Sequence, residues 1–276
     1  MNLVLQGAAL SDDAIGEIVA LTGANHVVAL GPCAWRLTRA AEQPRVQPWC
    51  AQRGLDCAWV PEERRLAELR LVAMDMDSTL VTIESIDEMG DVLGIKDRVA
   101  LVTAQAMRGE IDYAESLRRR VALLAGLEEA ALERICEQRM HLSPGAEALV
   151  RRCRGSGIRT LLVSGGFDFF TGRLQQRLGI DEALSNVLEI ERGRLTGRVL
   201  GAIVDGDAKA AKLRAEIRRL GLRREQALAI GDGANDIPMM SEACISVAYR
   251  AKPAVREHAT HALDYAPLDG VLNLFV

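Results

Sequence analysis

The sequence predicts an α/β protein built on a doubly wound parallel sheet, with a helical cap insert and a small α+β unit before it. From residue 71 onward, short apolar runs typical of strands buried on both faces alternate with helical segments, which favours parallel strands. Residues 85–141 have the apolar spacing of helices and no strand-like alternation, so they predict a cap inserted after the first strand. Before residue 66 the predicted order is βαββαβ, the ferredoxin-like order.

The N-terminal unit is built from six short segments. The predicted strands are Leu3–Leu5, His26–Leu30, Ala34–Leu37 and Asp56–Val60, and the predicted helices are Asp12–Leu21 and Gln47–Arg53. Ser11 is suited to cap the first helix and Gly23 to end it. Pro61 and the charged segment 62–70 predict a linker, so the unit is expected to span residues 1–66.

Residues 67–276 are expected to form the main domain, with the cap at about 84–142. The predicted buried strands are Leu71–Met74, Arg159–Val163, Ala227–Ile230 and Ile245–Ala248. The predicted helices after the cap are Glu147–Arg154, Phe167–Leu178, Ala208–Leu220 and Ile237–Ala243. Val187–Ile190 and Leu195–Val199 are expected to form a hairpin through the turn at Arg192 and Gly193.

Composition and charge narrow the classes of protein. The chain has 276 residues, of which 49% are hydrophobic and 26% charged, as is typical of a folded globular protein. The net charge of -4 and the absence of a basic run argue against a nucleic-acid partner. No apolar run approaches the roughly 18 residues of a membrane span, and no basic segment precedes the apolar N-terminus, so neither membrane insertion nor a signal peptide is expected. The six cysteines form no CxxC pair, which indicates reduced thiols in a cytoplasmic protein.

Three of the predicted buried strands run directly into polar turns. The turns are Asp75–Thr79, Ser164–Gly166 and Gly231–Asp236. In a parallel open sheet they would all lie at the carboxyl ends of the strands, where such folds bind their ligands, so we expect them to converge.

The convergence would bring four carboxylates into one crevice, those of Asp75, Asp77, Asp232 and Asp236. Such a cluster repels itself unless a cation fills it, and oxygen ligands next to a phosphate suit Mg²⁺. The alternative is that these residues only form turns and cap helices. That alternative explains any one Asp-Gly pair better than a metal site does, but it does not explain all three turns together.

The same turns resemble the motifs of the haloacid dehalogenase-like hydrolases, and within that family the phosphoserine phosphatases. Asp75–Thr79 fits the family's DxDxT nucleophile motif, Ser164 the second motif, Lys209 the third and Gly231–Asp236 the fourth. The resemblance covers about Arg70–Val276. It also includes Ser-Leu-Arg at 116–118, Ser-Gly-Gly-Phe-Asp at 164–168, Leu-Thr-Gly at 195–197 and Ala-Lys-Pro at 251–253. The N-terminal unit resembles an ACT-type amino-acid-binding module, which would allow the chain to form a homodimer.

The resemblance implies a role for each residue of the site. Asp75 would attack phosphorus and form an aspartyl-phosphate, and Asp77 would act as general acid and then general base. The side chains of Asp75 and Asp232 and the carbonyl of Asp77 would hold Mg²⁺, with Asp236 in support. The phosphoryl-binding residues would be Ser164, Gly165, Lys209 and Asn235.

The substrate implied by the resemblance is the small molecule phosphoserine, hydrolysed in the last step of serine biosynthesis. Glu84 would pair with its ammonium group and Arg120 with its carboxylate. Without the resemblance, a lone glutamate after a strand and an arginine in a basic turn are more often simply solvated. Met107 and Tyr113 are expected either to wall the pocket or to pack in the core.

Two other functions remain open at this point. One is a different reaction on the same scaffold, either phosphoryl transfer to an acceptor such as homoserine or hydrolysis of another small phosphate ester. The other is an amino-acid-sensing regulatory protein with a vestigial phosphatase domain, against which the complete set of motif residues argues. The histidines His26, His141, His258 and His261 suggest no role and are expected at the surface or partly buried.

Overall fold

The computed structural model describes residues 1–276 and contains two sheets, one of four strands and one of seven. The strands are β1 (Asn2–Gln6), β2 (His26–Gly31), β3 (Ala34–Thr38), β4 (Asp56–Val60), β5 (Leu71–Met74), β6 (Arg159–Phe167), β7 (Glu182–Glu191), β8 (Arg194–Leu200), β9 (Ala227–Gly231), β10 (Ile245–Tyr249) and β11 (His261–Leu263). The helices are α1 (Asp12–Thr22), α2 (Val46–Ala51), α3 (Ser85–Val92), α4 (Lys96–Met107), α5 (Tyr113–Leu123), α6 (Glu129–Gln138), α7 (Ala146–Gly155), α8 (Asp168–Leu178), α9 (Gly206–Arg219), α10 (Ile237–Met240) and α11 (Pro253–Arg256). No helix is both long enough and apolar enough to cross a membrane.

The N-terminal sheet has the strand order β2-β3-β1-β4 with every pair antiparallel. This order and the sequence βαββαβ are those of a ferredoxin-like unit, so that part of the fold prediction is confirmed. Ser11 accepts a hydrogen bond from the backbone N–H of Ala14, and Gly23 ends α1 in the left-handed conformation, as the sequence predicted.

The two faces of this small sheet have different partners. Leu3, Leu5 and Leu37 pack with Ile18 of α1 in a core that belongs to the unit itself. Residues on the opposite face, Val4, Ala58 and Val60, belong to the main core, which also contains Leu268, Val271 and Leu274. The strands alternate between the two cores because neighbouring side chains of a strand point to opposite faces.

Polar contacts fix the same junction. The carboxylate of Asp56 on β4 accepts hydrogen bonds from the backbone N–H groups of Asp264, Tyr265 and Ala266, at 2.7, 3.1 and 2.8 Å. The amide of Asn273 donates to Gln6 Oε1 at 2.7 Å. The segment after β11 therefore fastens the N-terminal sheet to the main domain.

The main sheet has the order β11-β10-β9-β5-β6-β7-β8, with parallel pairing from β11 to β7 and antiparallel pairing between β7 and β8. Helices α7 and α8 lie on one face, through residues such as Leu149 and Phe170, and α9 and α10 on the other, through Leu213 and Met239. The doubly wound α/β fold is therefore confirmed.

The predicted hairpin is present, but its first strand is longer than predicted. The first half of β7 pairs in parallel with β6, and its second half pairs with β8. The hairpin is thus a continuation of the main sheet. It also supports the cap, because Gly126 and Leu127 exchange backbone hydrogen bonds with Leu195.

The cap consists of α3 to α6 and leaves the main domain through two chain segments that lie side by side. Val81 and Leu142 form an isolated antiparallel bridge. Thr82 donates to the carbonyl of His141 at 2.9 Å, and Ser143 donates to that of Leu80 at 3.0 Å. The insert therefore begins and ends at one edge of the site, next to the turn that follows β5.

Candidate active site

The three polar turns meet at the carboxyl end of the main sheet. β5 lies between β6 and β9, so the turn that carries Asp75 has the turns of Ser164 and Asp232 on its two sides. The three turns meet although they are far apart in sequence, because all three strands are parallel and end at the same edge of the sheet. The expected convergence of the turns is thus observed.

Lys209 lies at the centre of this group. Its Nζ donates to Asp75 Oδ1 at 2.6 Å and to Asp236 Oδ1 at 2.7 Å, and the side chain is fully buried. Asp205 positions it by capping α9, since its carboxylate accepts from the N–H of Ala208 at 2.9 Å. Burial alone would lower the pKa of Lys209, but the charges of Asp236 and Asp75 outweigh burial and raise it. The lysine is therefore a permanent cation inside the site.

Asp236 is held on both oxygens. Besides the bond to Lys209, its Oδ2 accepts from the backbone N–H groups of Asp232 and Gly233 at 3.2 and 3.1 Å. A Cβ on Gly231 would collide with this carboxyl group, so the position has room only for glycine. Asp236 consequently shapes the third turn and has little freedom to move.

The carboxylates of Asp75, Asp232 and Asp236 are close enough to hold a metal ion, with oxygens within 4.8 Å of one another. Three carboxylates face one ammonium, so negative charge is left uncompensated. Burial, and then the charge of Asp236, raise the pKa of Asp75 well above its usual value and that of Asp232 to about 7. An oxygen-lined, electronegative group of this kind fits a hard divalent cation.

Asp77 has its carboxylate outside that group. Ser85, the first residue of α3, donates its Oγ to Asp77 Oδ2 at 2.8 Å and its N–H to Oδ1 at 3.3 Å. Burial, followed by the neighbouring charge of Glu84, raises the pKa of Asp77 to about 7. A carboxyl group with that pKa can both give and take a proton near neutral pH.

The turn after β6 is a bulge in the sheet. Val163 pairs with Leu184 and Phe167 with Asn186, so the three residues 164–166 lie opposite Ser185 alone. Ser164 Oγ accepts the N–H of Gly166 at 2.8 Å. A Cβ on Gly165 would overlap the hydroxyl of Tyr113, and one on Gly166 would lie 2.9 Å from Asp77 Oδ2. The bulge therefore brings backbone without side chains next to Tyr113 and Asp77.

Tyr113 closes this side of the site from the cap. It is the first residue of α5, and its hydroxyl donates to the carbonyl of Gly165 at 3.4 Å. Tyr113 therefore lies over the turn at residues 164–166, and it also packs against the main core. Met107 is different, because its side chain is 73% exposed; the expectation that it packs in the core is wrong.

Glu84 and Arg120 lie at the cap side of the crevice and have only local partners. Glu84 is exposed and accepts a hydrogen bond from Ser78 Oγ at 2.7 Å. Arg120 is half-buried and donates Nε to the carbonyl of Ser116, one turn earlier in α5, at 3.4 Å. Neither charge is neutralised by an opposite charge within salt-bridge distance. Asn235 is half-buried in the third turn, and its Oδ1 lies against Gly233.

Two residues that support the site were missed by the sequence analysis. Ser85 fixes Asp77, and Asn186 donates its Nδ2 to the carbonyl of Gly165 at 2.8 Å. A serine at the start of a predicted helix was a usable signal, since such residues often bond to neighbouring backbone and side chains. Asn186 gave no signal, because it lies in a strand and contacts residues distant in sequence.

The chain is similar to known hydrolases over most of its length. A family model described as haloacid dehalogenase-like hydrolase matches residues 72–241, and one for a domain of unknown function matches residues 3–47. A protein of Albidiferax ferrireducens named phosphoserine phosphatase is 52% identical over 76% of this chain and 91% of its own length.

Two solved structures have the same fold. The crystal structure of a probable phosphoserine phosphatase from Vibrio cholerae, 33% identical, matches with a TM-score of 0.88 over 99% of this chain and 85% of that chain. A phosphoserine phosphatase solved as a phospho-aspartyl intermediate analogue, 35% identical, matches with a TM-score of 0.70 over 75% of this chain and 99% of that chain. With the family model and these relatives in agreement, the chain belongs to the haloacid dehalogenase-like hydrolases.

Proposed function

We propose that the protein is a phosphoserine phosphatase that hydrolyses O-phosphoserine to serine and phosphate, the last step of serine biosynthesis, through an aspartyl-phosphate on Asp75. The observation that carries the proposal is the buried Asp75–Lys209–Asp236 arrangement at the meeting point of three turns. The similarity to proteins named phosphoserine phosphatase supports the substrate.

The first step is attack by Asp75 on phosphorus. Lys209 holds Oδ1, and no group of the chain donates to Oδ2, which leaves that oxygen available. As the new O–P bond forms, the bond from phosphorus to the serine oxygen breaks. Asp77 protonates the departing oxygen, so serine leaves as an alcohol.

The second step is hydrolysis of the aspartyl-phosphate. Asp77, now a carboxylate, accepts a proton from a water molecule that attacks phosphorus. The bond to Asp75 breaks, phosphate leaves, and both aspartates return to their starting states. The pKa of about 7 at Asp77 suits this exchange, because neither protonation state is strongly disfavoured.

The residues present fit Mg²⁺ as the cofactor. The side chains of Asp75 and Asp232 and the backbone carbonyl of Asp77 would hold the ion, and Asp236 would orient the turn that carries Asp232. The ion would reduce the repulsion between an anionic nucleophile and an anionic phosphate. This role agrees with the uncompensated negative charge of the three carboxylates.

Binding of the substrate is divided between the two sides of the crevice. Ser164, the N–H of Gly165, Lys209 and Asn235 would hold the phosphoryl oxygens. On the cap side, Glu84 would pair with the ammonium group of phosphoserine and Arg120 with its carboxylate. Neither charged group is paired with an opposite charge of the chain, so both are available to a ligand.

The test is phosphate release by the purified protein from O-phosphoserine and, for comparison, from para-nitrophenyl phosphate, with Mg²⁺ or with a chelator. We expect a much higher kcat/KM for phosphoserine and loss of turnover with the chelator. Equal kcat/KM values for the two esters would contradict the substrate. Addition of homoserine tests the transferase alternative, because a transferase would form phosphohomoserine in place of free phosphate.

The organisation of the chain is part of the proposal. We propose an ACT-like domain at residues 1–66 and a phosphatase domain at 67–276, with the cap at about 84–142. The N-terminal unit is the proposed contact between two copies in a homodimer, and a cytoplasmic location fits a biosynthetic enzyme. Gel filtration with light scattering tests the dimer, since a mass near twice 30.0 kDa is expected.

A further inference from the structure

The bulge at residues 164–166 leaves backbone groups that the regular hydrogen bonds of the sheet do not pair. Three residues of β6 lie opposite one residue of β7, so the regular ladder is interrupted there. Buried backbone carbonyls without partners are costly, and other groups must satisfy them. The side chain of Asn186, the first β7 residue to pair again with β6 after the bulge, supplies these bonds.

Asn186 uses both ends of its carboxamide. Nδ2 donates to the carbonyl of Gly165 at 2.8 Å and approaches that of Gly166 at 3.4 Å. Oδ1 accepts the backbone N–H of Val204 at 2.8 Å. Asn186 is 1% exposed, so its own donor and acceptor are shielded from solvent. One amide thus joins the phosphoryl-binding bulge to the chain that leads into α9.

The contact at Val204 is close to the other phosphoryl-binding groups. Asp205 follows it and caps α9, and Lys209 lies in the first turn of that helix. At the same helix end, Gly206 packs against the carbonyl of Asn235, where a Cβ would lie only 3.0 Å away. Movement at Val204 would therefore be passed to Lys209 and to the third turn.

We propose that Asn186 is a positioning residue that fixes the distance between the Gly165 backbone and Lys209, and with it the binding of the phosphoryl group. Its carboxamide bonds only to backbone groups of Gly165, Gly166 and Val204, so it acts through the two segments it joins. The inference rests on the proposed phosphatase function. Glu84 and Arg120 make no hydrogen bond to Asn186, so the proposal predicts a loss of phosphate binding without a loss of binding through these two residues.

The test uses two replacements of similar size. Asn186→Leu removes both hydrogen bonds, whereas Asn186→Asp keeps an acceptor for Val204 and loses the donor to Gly165 when ionised. The matched control is Asp181→Ala, because Asp181 Oδ2 accepts from the N–H and hydroxyl of Thr160 and joins the chain before β7 to the other end of β6. The control removes a comparable contact between the same strands, far from the bulge.

Calorimetry with Mg²⁺ present gives the dissociation constants of inorganic phosphate and of serine for each protein. We expect Asn186→Leu to weaken phosphate binding about tenfold and to lower kcat about a hundredfold, since small displacements of positioning groups have effects of this size. Serine binding should be unchanged. Asp181→Ala should lower Tm and leave both dissociation constants and kcat as they are.

An unchanged phosphate dissociation constant, or an equal loss of phosphate and serine affinity, would overturn the proposal. If Asn186→Leu does not fold, Asn186→Asp decides. A protonated carboxyl group can donate to Gly165 and accept from Val204, so phosphate affinity relative to the wild type should recover as pH falls. If the ratio of the phosphate dissociation constants of Asn186→Asp and the wild type stays constant from alkaline to acid pH, the proposal is contradicted. Phosphate binding is measured without turnover. If the wild type does not hydrolyse phosphoserine, the proposed function fails, but the phosphate dissociation constants still test the role of Asn186.

Discussion

The two sides of the crevice differ in how completely they are assembled. On the phosphoryl side, Lys209 is buried, Asp236 accepts three hydrogen bonds, and the bulge at 164–166 is fixed by Asn186. On the cap side, Glu84 is exposed and Arg120 bonds only to its own helix. The chemistry is thus preorganised in the core, whereas the groups proposed for the amino-acid part of the substrate still lack their partners.

The difference has a physical cause. A charged phosphoryl group passing through a transition state is stabilised most by dipoles and charges that are already in place and need no reorganisation. Recognition of a small zwitterion can instead use side chains that become ordered on binding, at some cost in affinity. Replacements on the two sides should therefore have different kinetic signatures, and the following predictions test that.

The largest expected effect is that of Asp75→Asn. The amide has nearly the same shape but is not a nucleophile, so turnover should fall on the order of 10⁴-fold or more. The fold should persist, because Lys209 keeps Asp236 as a partner and one buried negative charge is removed. Phosphate release and a thermal melt check both points; wild-type turnover in this variant would refute the nucleophile.

Lys209→Met should have the second largest effect. It removes the proposed donor to the phosphoryl group, which should lower kcat about 10²-fold to 10³-fold. It also leaves Asp75 and Asp236 without their cation, which should destabilise the fold by about 3–5 kcal/mol. Denaturant unfolding without Mg²⁺ measures the stability.

The control for that variant is Lys212→Met on the same helix. Lys212 pairs with the partly exposed Glu182 and with Glu216, which is buried but keeps Arg219 as a second partner. Loss of such pairs should cost about 1 kcal/mol or less and leave kcat unchanged. Equal losses of activity in the two lysine variants would contradict a specific role for Lys209.

On the cap side, Arg120→Lys should alter binding more than chemistry. A lysine keeps the charge but loses the planar pair of donors for a carboxylate. We expect KM for phosphoserine to rise about tenfold to a hundredfold at similar kcat, the equivalent of losing one hydrogen bond to a charged group. Hydrolysis of para-nitrophenyl phosphate should not change.

Arg119→Lys provides the comparison. Arg119 precedes Arg120 in the chain, is exposed and pairs with Glu115 at 2.7 Å. The Arg119→Lys replacement should leave kcat and KM unchanged for both phosphoserine and para-nitrophenyl phosphate. A loss that is the same for phosphoserine and para-nitrophenyl phosphate in Arg120→Lys would mean that the cap does not read the amino-acid group.

The smallest predicted effect is a change in the pH dependence of activity, which links Glu84 on the cap side to Asp77. Asp77 must be protonated to act as the acid, so kcat/KM should fall as pH rises through its pKa. Burial and the charge of Glu84 raise that pKa to about 7. Glu84→Gln removes the charge and should move the alkaline limb to lower pH, by roughly half a pH unit.

The pH profile of kcat/KM for phosphoserine measures this shift, since it reports on the free enzyme. Glu88→Gln is the control, because Glu88 lies one turn further along α3 and pairs with Arg139. Glu88→Gln should leave the alkaline limb of the profile at the same pH. A limb that moves to higher pH in Glu84→Gln would contradict the assigned electrostatic link.

The sequence was most informative where strand ends carry polar turns. A run such as Leu71–Met74 predicts a strand, and a parallel strand fixes where Asp75 will lie relative to Ser164 and Asp232. Lys209 was placed by resemblance, and its burial between two carboxylates could not be read from a helix of ordinary composition.

Other features depended on tertiary contacts and were missed or wrong. The first half of β7 is only half-buried and gives no apolar run, so its pairing with β6 was not predicted. The three-residue strand β11 is too short for a periodic signal. His261 was expected at the surface or partly buried, but it is buried beside Arg64, and burial followed by the charge of that arginine lowers its pKa to about 4.

The junction between the small sheet and the end of the main domain has a consequence for synthesis on the ribosome. The strand that carries Val4 is made before its apolar partners Leu268, Val271 and Leu274, which follow more than 260 residues later. Since domains begin to fold while the chain is still growing, that face of the sheet stays uncovered during most of translation. The nascent chain must therefore protect an apolar surface, by transient contacts or by chaperones, until its closing segment emerges.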